Sequence, residues 1–326
     1  MYWLLIILIT VLLLGSFYAY DISFFSPRNR HPEADEPMQG AQYEAVREHI
    51  LRISSIMQRI PFEEVHIQSF DGTVLYGRYY HQIDGAPVEI LFHGYRSHPY
   101  RDCSGGHALA RKMGFNTLVV DQRAHGKSKG HTICFGIKER KDCLCWVNYV
   151  NERFGSQIPV VLSGLSMGAA TVLMSADLDL PDNVACIIAD SPYSSPVAII
   201  EKVCKDQHYP VALCRPFLYL GALLYGGFRL GSCTAEAAVS NCRVPVLLIH
   251  GEADHFVPCH MSLKIAAVCS SRVEVAIFPY AGHGLSYLTD PVRYEAVVCH
   301  FLQSIPSVKN AIKVEYIDEL KKNING

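Results

Sequence analysis

Residues 164–168, with the sequence Gly-Leu-Ser-Met-Gly, constrain the fold of this chain more than any other segment. They follow an apolar run at 158–163 and precede an alanine-rich stretch at 169–174. This order predicts a buried strand, a sharp turn and a helix, with Ser166 at the tip of the turn. Glycine is needed two residues to either side of Ser166, because a Cβ there would collide with the neighbouring strand or helix. The pattern is typical of a turn that presents a nucleophilic serine; an ordinary glycine-rich loop is the alternative.

Two further strand ends supply the partners that such a serine needs, a base and an acid that orients the base. A strand of the buried type at 244–251 is followed by Asp254, and a strand at 273–278 leads into the loop that carries His283. The carboxyl ends of strands in an open parallel sheet meet at one edge, where ligands bind. The sequence therefore predicts a catalytic triad of Ser166, Asp254 and His283 at that edge.

Asp190 is the alternative candidate for the acid, because it also ends a predicted strand, at 184–189. A Ser-Pro-Tyr turn follows it directly, and an aspartate before such a turn often caps the next element. Asp254 is therefore the preferred acid. Replacing Asp254 with asparagine is expected to remove most turnover, whereas the same change at Asp190 is expected to remove little.

The oxyanion of an acyl-transfer reaction needs hydrogen-bond donors as well. In nucleophile turns of this kind, one backbone N–H follows the serine and the second comes from the loop after the third strand. A strand at 88–92 ends in a His-Gly pair at 93–94. This placement predicts the backbone N–H groups of Tyr95 and Met167 as the oxyanion donors.

Five motifs lie between about residue 62 and about residue 305. They are Phe-His-Gly-Tyr at 92–95, Asp-Gln-Arg-Ala-His-Gly-Lys-Ser at 121–128, the turn at 164–168, His-Gly-Glu-Ala-Asp-His-Phe-Val-Pro at 250–258 and Gly-His-Gly at 282–284. Through these motifs the chain resembles the α/β-hydrolase superfamily. The order Ser, Asp, His along the chain is that of the α/β-hydrolase triad. It differs from the order in the chymotrypsin-like and subtilisin-like proteases. Ala124 stands where the motif Asp-x-Arg-Gly-His-Gly-x-Ser of the family has its first glycine.

Within the superfamily, the chain looks most like bacterial membrane-associated serine hydrolases related to esterases, monoacylglycerol lipases and bile-acid-type acyl hydrolases. The resemblance implies an enzyme that cleaves an acyl bond of a small-molecule substrate through an acyl-enzyme. A carboxylic ester with an apolar acyl or alcohol part is the expected substrate. Amide, peptide or thioester hydrolysis and acyl transfer use the same machinery and remain open. A membrane-tethered binding protein on a hydrolase scaffold is the alternative from a different class.

The N-terminal segment 1–20 contains no charged side chain. About 20 apolar residues are enough to span a bilayer as a helix. A cleaved signal peptide and a buried core helix are the alternatives. No basic residue precedes the apolar run, and no small-residue cleavage site follows it, so the sequence predicts an uncleaved transmembrane anchor. Arg28 and Arg30 follow the span, which predicts a cytoplasmic catalytic domain.

The remaining chain divides into three predicted segments. Residues 21–41 form a linker rich in proline and acids, residues 42–308 form the α/β-hydrolase domain, and residues 309–326 form a charged C-terminal tail. Within the domain, alternating strands and helices predict a mostly parallel central sheet with helices on both faces. This alternation breaks at 191–241, which predicts a small helical cap over the site. The Leu, Tyr and Phe residues of the cap suggest an apolar pocket for an acyl chain or ring.

Composition excludes several classes of function. A net charge of −2 with scattered Lys and Arg leaves no basic footprint for nucleic acid. Fifteen histidines occur without the spacing of known metal sites, so neither a metal nor a cofactor is expected. Twelve cysteines occur without a C-x-x-C pair, which favours buried thiols and a reducing compartment.

Overall fold

A computed structural model of the chain describes residues 2–27 and 41–325, and its centre is a sheet of eight strands. The strands are β1 (Glu63–Gln68), β2 (Val74–Tyr80), β3 (Val88–Phe92), β4 (Asn116–Asp121), β5 (Val160–Leu165), β6 (Val184–Asp190), β7 (Val246–Gly251) and β8 (Val273–Phe278). Across the sheet they are ordered β1-β2-β4-β3-β5-β6-β7-β8. The β1–β2 and β2–β4 pairs are antiparallel, and every later pair is parallel.

Helices connect the parallel strands and also occupy both ends of the chain. The described residues contain fourteen α-helices, namely α1 (Tyr2–Ser23), α2 (Ala41–Glu44), α3 (Arg47–Gln58), α4 (Pro99–Asp102), α5 (Ser104–Met113), α6 (Glu139–Phe154), α7 (Met167–Met174), α8 (Pro196–Asp206), α9 (Val211–Leu224), α10 (Ala235–Val239), α11 (His260–Val268), α12 (Ser286–Thr289), α13 (Pro291–Gln303) and α14 (Val314–Asn325). Two short 3₁₀ turns, Ser175–Asp177 and Lys309–Ala311, follow α7 and α13.

The central strands, β3 to β7, are largely apolar and buried because both faces of the sheet are covered there. Val160 and Leu162 of β5 belong to the core on one face, where α6 and α7 pack. Val161, between them, belongs to the core on the other face, with residues of α5 and α13. This arrangement confirms the predicted mostly parallel sheet with helices on both faces.

The segment 191–241 holds three helices, of which α8 borders the cavity beside Ser166 and α9 packs on α8 and α1. Helix α10 packs on α7, and its residues Ala235, Ala238 and Val239 are buried, so it extends the core. Helices α8 and α9 contact each other above the sheet edge and form the helical cap that the sequence predicted.

At the C-terminus, the predicted charged tail carries helix α14, which packs against α13. Tyr316 and Leu320 are buried on its inner face, and Tyr316 Oη donates a hydrogen bond of 3.1 Å to Glu295 Oε2 on α13. The tail therefore contributes to the core of the domain.

At the N-terminus, α1 extends to Ser23, beyond the predicted end of the apolar span. Ser26 N–H donates to His131 O, and Ile133 N–H donates to Phe24 O, both at 2.8 Å. Phe24 is completely buried. The predicted linker at 21–41 thus starts with helical and docked residues, because Phe24 has an apolar site on the domain. The rest of that linker, 28–40 with both arginines used for orientation, lies outside the described residues.

Among the described residues, α1 is the one helix long and apolar enough to span a bilayer. A signal sequence near an N-terminus meets the same criteria of length and composition. The side chains of residues 2–11 are all exposed, in contrast to those of a core helix.

Candidate active site

The sharp turn at Ser166 joins β5 to α7 in a strained backbone conformation. Ser166 has φ 56° and ψ -113°, in a region that side-chain-bearing residues rarely adopt. A Cβ on Gly164 would lie 2.3 Å from the carbonyl carbon of Gly168, and a Cβ on Gly168 would lie 2.1 Å from Phe92 O. Glycine is therefore required at both positions for the steric reason that the sequence pattern suggested.

The structure brings together the three side chains predicted as a triad. His283 Nε2 lies 2.9 Å from Ser166 Oγ, and His283 Nδ1 lies 2.7 Å from Asp254 Oδ2. The three residues follow β5, β7 and β8, whose carboxyl ends share one edge of the sheet. This line of hydrogen bonds can carry a proton from the serine to the imidazole and hold the imidazole by its other nitrogen.

Asp254 is held in its ionised form by the groups around it. Burial raises the pKa of this carboxyl, but hydrogen bonds from His250, His283 and the backbone N–H of Val257 outweigh burial and hold the pKa well below its usual range. Asp254 Oδ1 also accepts the backbone N–H of Phe256 at 2.9 Å. The carboxylate charge is therefore fixed beside the imidazole of His283.

His250 supports this carboxylate, a role that was not predicted from the sequence. Its ring is completely buried, with Nδ1 accepting from Ser262 Oγ at 2.6 Å and Nε2–H donating to Val257 O at 2.8 Å. Nε2 also lies 3.3 Å from Asp254 Oδ2. Its place in the His-Gly-Glu-Ala-Asp run, four residues before the aspartate, is the signal that could have found it.

Asp190, the alternative acid, lies nearby but in a different bonding environment. Its Oδ1 accepts Ser191 Oγ at 2.9 Å, and its backbone oxygen accepts the N–H of Ser166 at 2.8 Å. Burial raises the pKa of the Asp190 carboxyl to about 6. The hydrogen bond to His283 Nδ1 is made by Asp254, so the geometry favours the acid that the sequence preferred.

The loop after β3 passes close to the serine. A Cβ built on Gly94 would lie 3.5 Å from Ser166 Cβ. Gly94 N–H donates to Asp102 Oδ2 at 2.8 Å, and Arg96 N–H donates to His125 Nε2 at 3.0 Å. Between these two tethered groups, the N–H of Tyr95 has no acceptor within the described ranges.

Met167 N–H likewise has no acceptor in the part of the chain that the structure describes. The reason is that Met167 is the first residue of α7 and lacks an intrahelical partner. The two backbone N–H groups predicted as oxyanion donors, those of Tyr95 and Met167, therefore both lack an acceptor among the described residues.

Two buried side chains that the sequence analysis left unassigned hold this loop. In the neutral tautomer, His93 Nδ1–H donates to Gly94 O at 2.8 Å and Nε2 accepts Gln122 N–H at 3.1 Å. Burial lowers the pKa of His93 to about 4, which keeps the ring neutral. Asp102 lies on the short helix α4, and its carboxylate also pairs with Arg101 at 3.1 Å. No local pattern marks Asp102, because its partner Gly94 lies across a loop.

The loop at 121–128 carries Ala124 at the position where the family motif has a glycine. Ala124 has φ 62°, in the left-handed region that glycine adopts without strain. The loop is held by ion pairs of Arg123 with Asp142 at 2.6 Å and with Asp71 at 2.9 Å. Alanine is therefore accommodated in a backbone conformation suited to glycine.

A cavity of about 340 Å³ opens beside Ser166 beneath the cap. No charged side chain borders it among the described residues, and most of its lining is aliphatic or aromatic. Helix α8 supplies one side of the cavity, and the end of α1 supplies another. The contribution of α1 to the cavity was not predicted from the sequence. The lining residues are Ile22, Ser23, Tyr95, Phe135, Ser166, Tyr193, Ile199, Ile200, Val203, Cys204, Gln207, Tyr209, Phe256 and Val257.

Residues 2–27 and 41–325 contain no group of three His, Cys, Asp or Glu side chains placed to hold a metal ion. All twelve cysteines are free thiols. The groups that the site offers for chemistry are its serine, its histidine, its carboxylate and the two backbone donors.

Two protein-family models match the chain. The model described as Serine aminopeptidase, S33 matches residues 87–210, and the model described as Serine hydrolase (FSH1) matches residues 197–285. Together they cover the elements that carry Tyr95, Ser166, Asp254 and His283.

Relatives and solved structures agree with these matches. The chain is 25% identical to the uncharacterized protein YqkD of Bacillus subtilis over 194 residues, which covers 59% of this chain and 64% of the relative. The structure of the Pyrococcus furiosus esterase Pf2001 is similar with a TM-score of 0.60 and 21% identity, over 76% of this chain and 93% of that one.

A third similar protein is the mouse alpha/beta hydrolase domain-containing protein 10, with a TM-score of 0.55 and 20% identity, over 74% of this chain and 98% of that one. At these identities, the two solved structures show the fold alone. The chain spans less than two thirds of the length of YqkD.

Proposed function

Because the chain is a member of the α/β-hydrolase superfamily of serine hydrolases, we propose that it cleaves carboxylic esters with Ser166 as the nucleophile. The observation that carries this proposal is the line of hydrogen bonds from Asp254 through His283 to Ser166, at 2.7 Å and 2.9 Å. The line ends at a strained turn beside an apolar cavity and two backbone donors that have no acceptor in the described part of the chain.

In the first half of the reaction, Ser166 Oγ attacks the ester carbonyl while its proton moves to His283 Nε2. Asp254 holds the tautomer with a proton on Nδ1 and stabilises the imidazolium that forms. The N–H groups of Tyr95 and Met167 bind the oxyanion, and one such donor typically contributes about 10²–10³ in turnover. When the C–O bond breaks, the alcohol leaves with the proton from His283.

In the second half, water attacks the acyl-enzyme. His283 takes a proton from the water and returns it to Ser166 Oγ as the acyl group leaves as a carboxylic acid. The same residues act in both halves, which is why an alcohol or amine in place of water would make the enzyme an acyltransferase.

The cavity supports an ester with an apolar acyl or alcohol part. Its volume of about 340 Å³ lies at the small end of ligand pockets, and its lining is predominantly hydrophobic. An aminopeptidase needs a negative charge to bind the substrate's ammonium group, and the described lining holds no Asp or Glu. This argues for an ester over a peptide, although one family model carries the aminopeptidase description.

We also propose that α1 anchors the enzyme in a membrane, with the catalytic domain on the cytoplasmic side. The length of α1 and its exposed apolar side chains support the anchor. The two arginines that follow it in the sequence support the orientation.

The test uses the full-length chain in detergent micelles, treated with a fluorophosphonate probe. Wild type and Ser240→Ala, a change at an exposed serine, are expected to be labelled, and Ser166→Ala is not. A nitrophenyl ester series of increasing chain length then measures turnover and the preferred acyl length. A folded wild type that resists labelling would support a binding protein instead. Faster release of nitrophenol with added glycerol, together with glyceryl ester product, would identify an acyltransferase.

A further inference from the structure

Helix α1 is packed on the cap along its second half. Tyr225 Oη, just after α9, donates a hydrogen bond of 3.2 Å to Leu13 O. A Cβ on Gly221 of α9 would lie 2.5 Å from Ser16 O, so the two helices approach as closely as glycine permits. Helix α1 and the cap therefore form one packed unit from about residue 13 onward.

The end of α1 is held by the same loop that carries a proposed oxyanion donor. Tyr95 Oη donates to Ser23 O at 2.8 Å. The Arg96 guanidinium donates to Ile22 O at 3.1 Å and to Phe25 O at 2.9 Å. These bonds satisfy carbonyl groups at the helix end that would otherwise lack partners.

The part of α1 that is free of these contacts is too short to cross a membrane. At a rise of about 1.5 Å per residue, residues 2–12 extend about 16 Å. The hydrocarbon core of a bilayer is about 30 Å thick. If α1 is inserted, the membrane must therefore also reach the docked half of α1 and the α9 helix beside it.

The exposed surface around this contact has the composition that such immersion requires. On α9, large apolar side chains are between 40% and 63% exposed, and on the outer face of α1 they are between 44% and 65% exposed. Contiguous apolar surface of this kind marks a membrane or protein contact. We call this surface the apolar face, made of Leu213, Tyr219, Leu223 and Leu224 on α9 and Leu13, Leu14, Phe17, Tyr18 and Ile22 on α1.

Arg215 is the charged residue within α9, and it is paired. Its Nη2 lies 2.6 Å from Glu201 Oε1 of α8. A paired arginine at the level of the lipid headgroups is compatible with partial immersion of the helix, because its long stem lets the guanidinium remain in water.

The cavity beside Ser166 reaches the surface next to the apolar face. Three of its apolar lining residues are exposed, namely Ile22, Tyr209 and Phe256. Ile22 belongs to the apolar face, and Tyr209 lies two residues before α9. The rim of the cavity is thus shared with the surface that the membrane would cover.

We propose that α9 and the docked half of α1 lie together in the membrane leaflet nearer the α/β domain, and that the cavity takes its substrate, an amphiphilic lipid ester, directly from the bilayer. The helix α1 then serves as a wall of the active site as well as an anchor. The choice of a lipid ester rests on the proposed hydrolase function, whereas the seating of α9 does not.

The seating of α9 is tested by fluorescence quenching in phosphatidylcholine vesicles with brominated acyl chains. Leu223→Trp is made in a Trp3→Phe background, in which the remaining Trp146 is buried. The new fluorophore is expected to be quenched, and the matched control Leu263→Trp, on an exposed site of α11, is not. Equal quenching at both sites, or no quenching of the tryptophan at position 223, would overturn the proposal. The quenching measurement does not depend on hydrolysis.

The route of the substrate is tested with two esters on the full-length chain. The double variant Leu223→Gln/Leu224→Gln is expected to hydrolyse nitrophenyl palmitate in phosphatidylcholine vesicles about tenfold more slowly, because it loses apolar contact with the bilayer. Its rate on dissolved nitrophenyl butyrate is expected to equal that of wild type, as are both rates of Leu263→Gln. An equal loss on both esters would show a structural defect and contradict bilayer delivery. If wild type hydrolyses neither ester, the result contradicts the proposed hydrolase function, and the quenching measurement still decides the seating of α9.

Discussion

At the scale of single residues, the two buried aspartates near Ser166 differ in their hydrogen bonds and in their ionisation. The carboxylate of Asp254 accepts two backbone N–H groups on one oxygen and His283 on the other, so its orientation is determined largely by the backbone. Asp190 accepts Ser191 Oγ and has a raised pKa, because burial opposes its ionisation. The two aspartates therefore differ in their hydrogen bonds, although both lie at or just beyond the carboxyl end of a strand of the same sheet.

Asp254→Asn is expected to lower kcat by about 10³–10⁴, because the amide cannot hold the His283 tautomer that accepts the serine proton. Asp190→Asn is the matched control and is expected to keep kcat within about threefold, since its hydrogen bond goes to Ser191 and not to the imidazole. Steady-state kinetics on a nitrophenyl ester compare the two, with thermal unfolding to verify folding. A larger loss at Asp190 than at Asp254 would reverse the assignment of the acid.

At the scale of elements, strand β3 carries a carboxyl group in an unusual place. Glu89 is the second residue of β3 and is buried, although the neighbouring strands are largely apolar. It borders a cavity of about 90 Å³ behind the nucleophile strand, together with Ser163 and Asp190. Burial raises the pKa of Glu89 from 4.5 to about 7.

This shift makes stability depend on pH in a definite direction. The folded protein binds the Glu89 proton more tightly than the unfolded chain does, so the free energy of unfolding decreases as pH rises from about 4.5 to 7. Glu89→Gln removes this loss and is expected to be more stable than wild type by roughly 3 kcal/mol at about pH 8, with little difference at about pH 4.

Chemical denaturation in urea at the two pH values measures this difference. Glu48→Gln, at an exposed position, is the control and is expected to unfold like wild type at both pH values. If Glu89→Gln has the same advantage in acid as in base, the gain has a cause other than ionisation.

At the scale of the whole molecule, the end of the N-terminal helix and the residues just after it pack on the α/β domain. Phe24 is completely buried, and its ring contacts Phe135 at 5.8 Å and Phe228 at 5.3 Å between centroids. Phe135 lines the cavity beside Ser166, so this aromatic cluster connects the end of α1 to the substrate site. A chain without α1 would lose a wall of that cavity along with the proposed anchor.

Phe24→Ala is expected to lower the free energy of unfolding by about 3–5 kcal/mol, the usual cost of removing a buried aromatic ring. The control is Leu8→Ala, at an exposed position of α1, which is expected to change the free energy of unfolding by less than about 0.5 kcal/mol. Unfolding of the full-length chain in detergent micelles measures both. Equal values for the two variants would mean that Phe24 does not hold α1 on the domain.

Much of the fold and three side chains of the site could be predicted from the sequence, because both are encoded locally. Apolar runs separated by helical segments specify a parallel sheet, and glycines around Ser166 specify a turn with no room for a Cβ. Since parallel strands end at one edge, Asp254 and His283 could be assigned to the same place as Ser166. The structure places all three within hydrogen-bond contact. Their catalytic roles stay a prediction until the variants are measured.

The tertiary structure alone decided the rest, because loop conformation and the packing of separate elements determine which groups meet. Asp102 reaches Gly94 across a loop, and the N–H of Arg96 meets the ring of His125, 29 residues further along the chain. The composition of α1 also indicated an apolar helix, but not that Ser23 would meet Tyr95 and complete the cavity. An apolar helix has the same sequence pattern whether lipid or protein covers it, so only the packed structure shows which of its faces the protein covers.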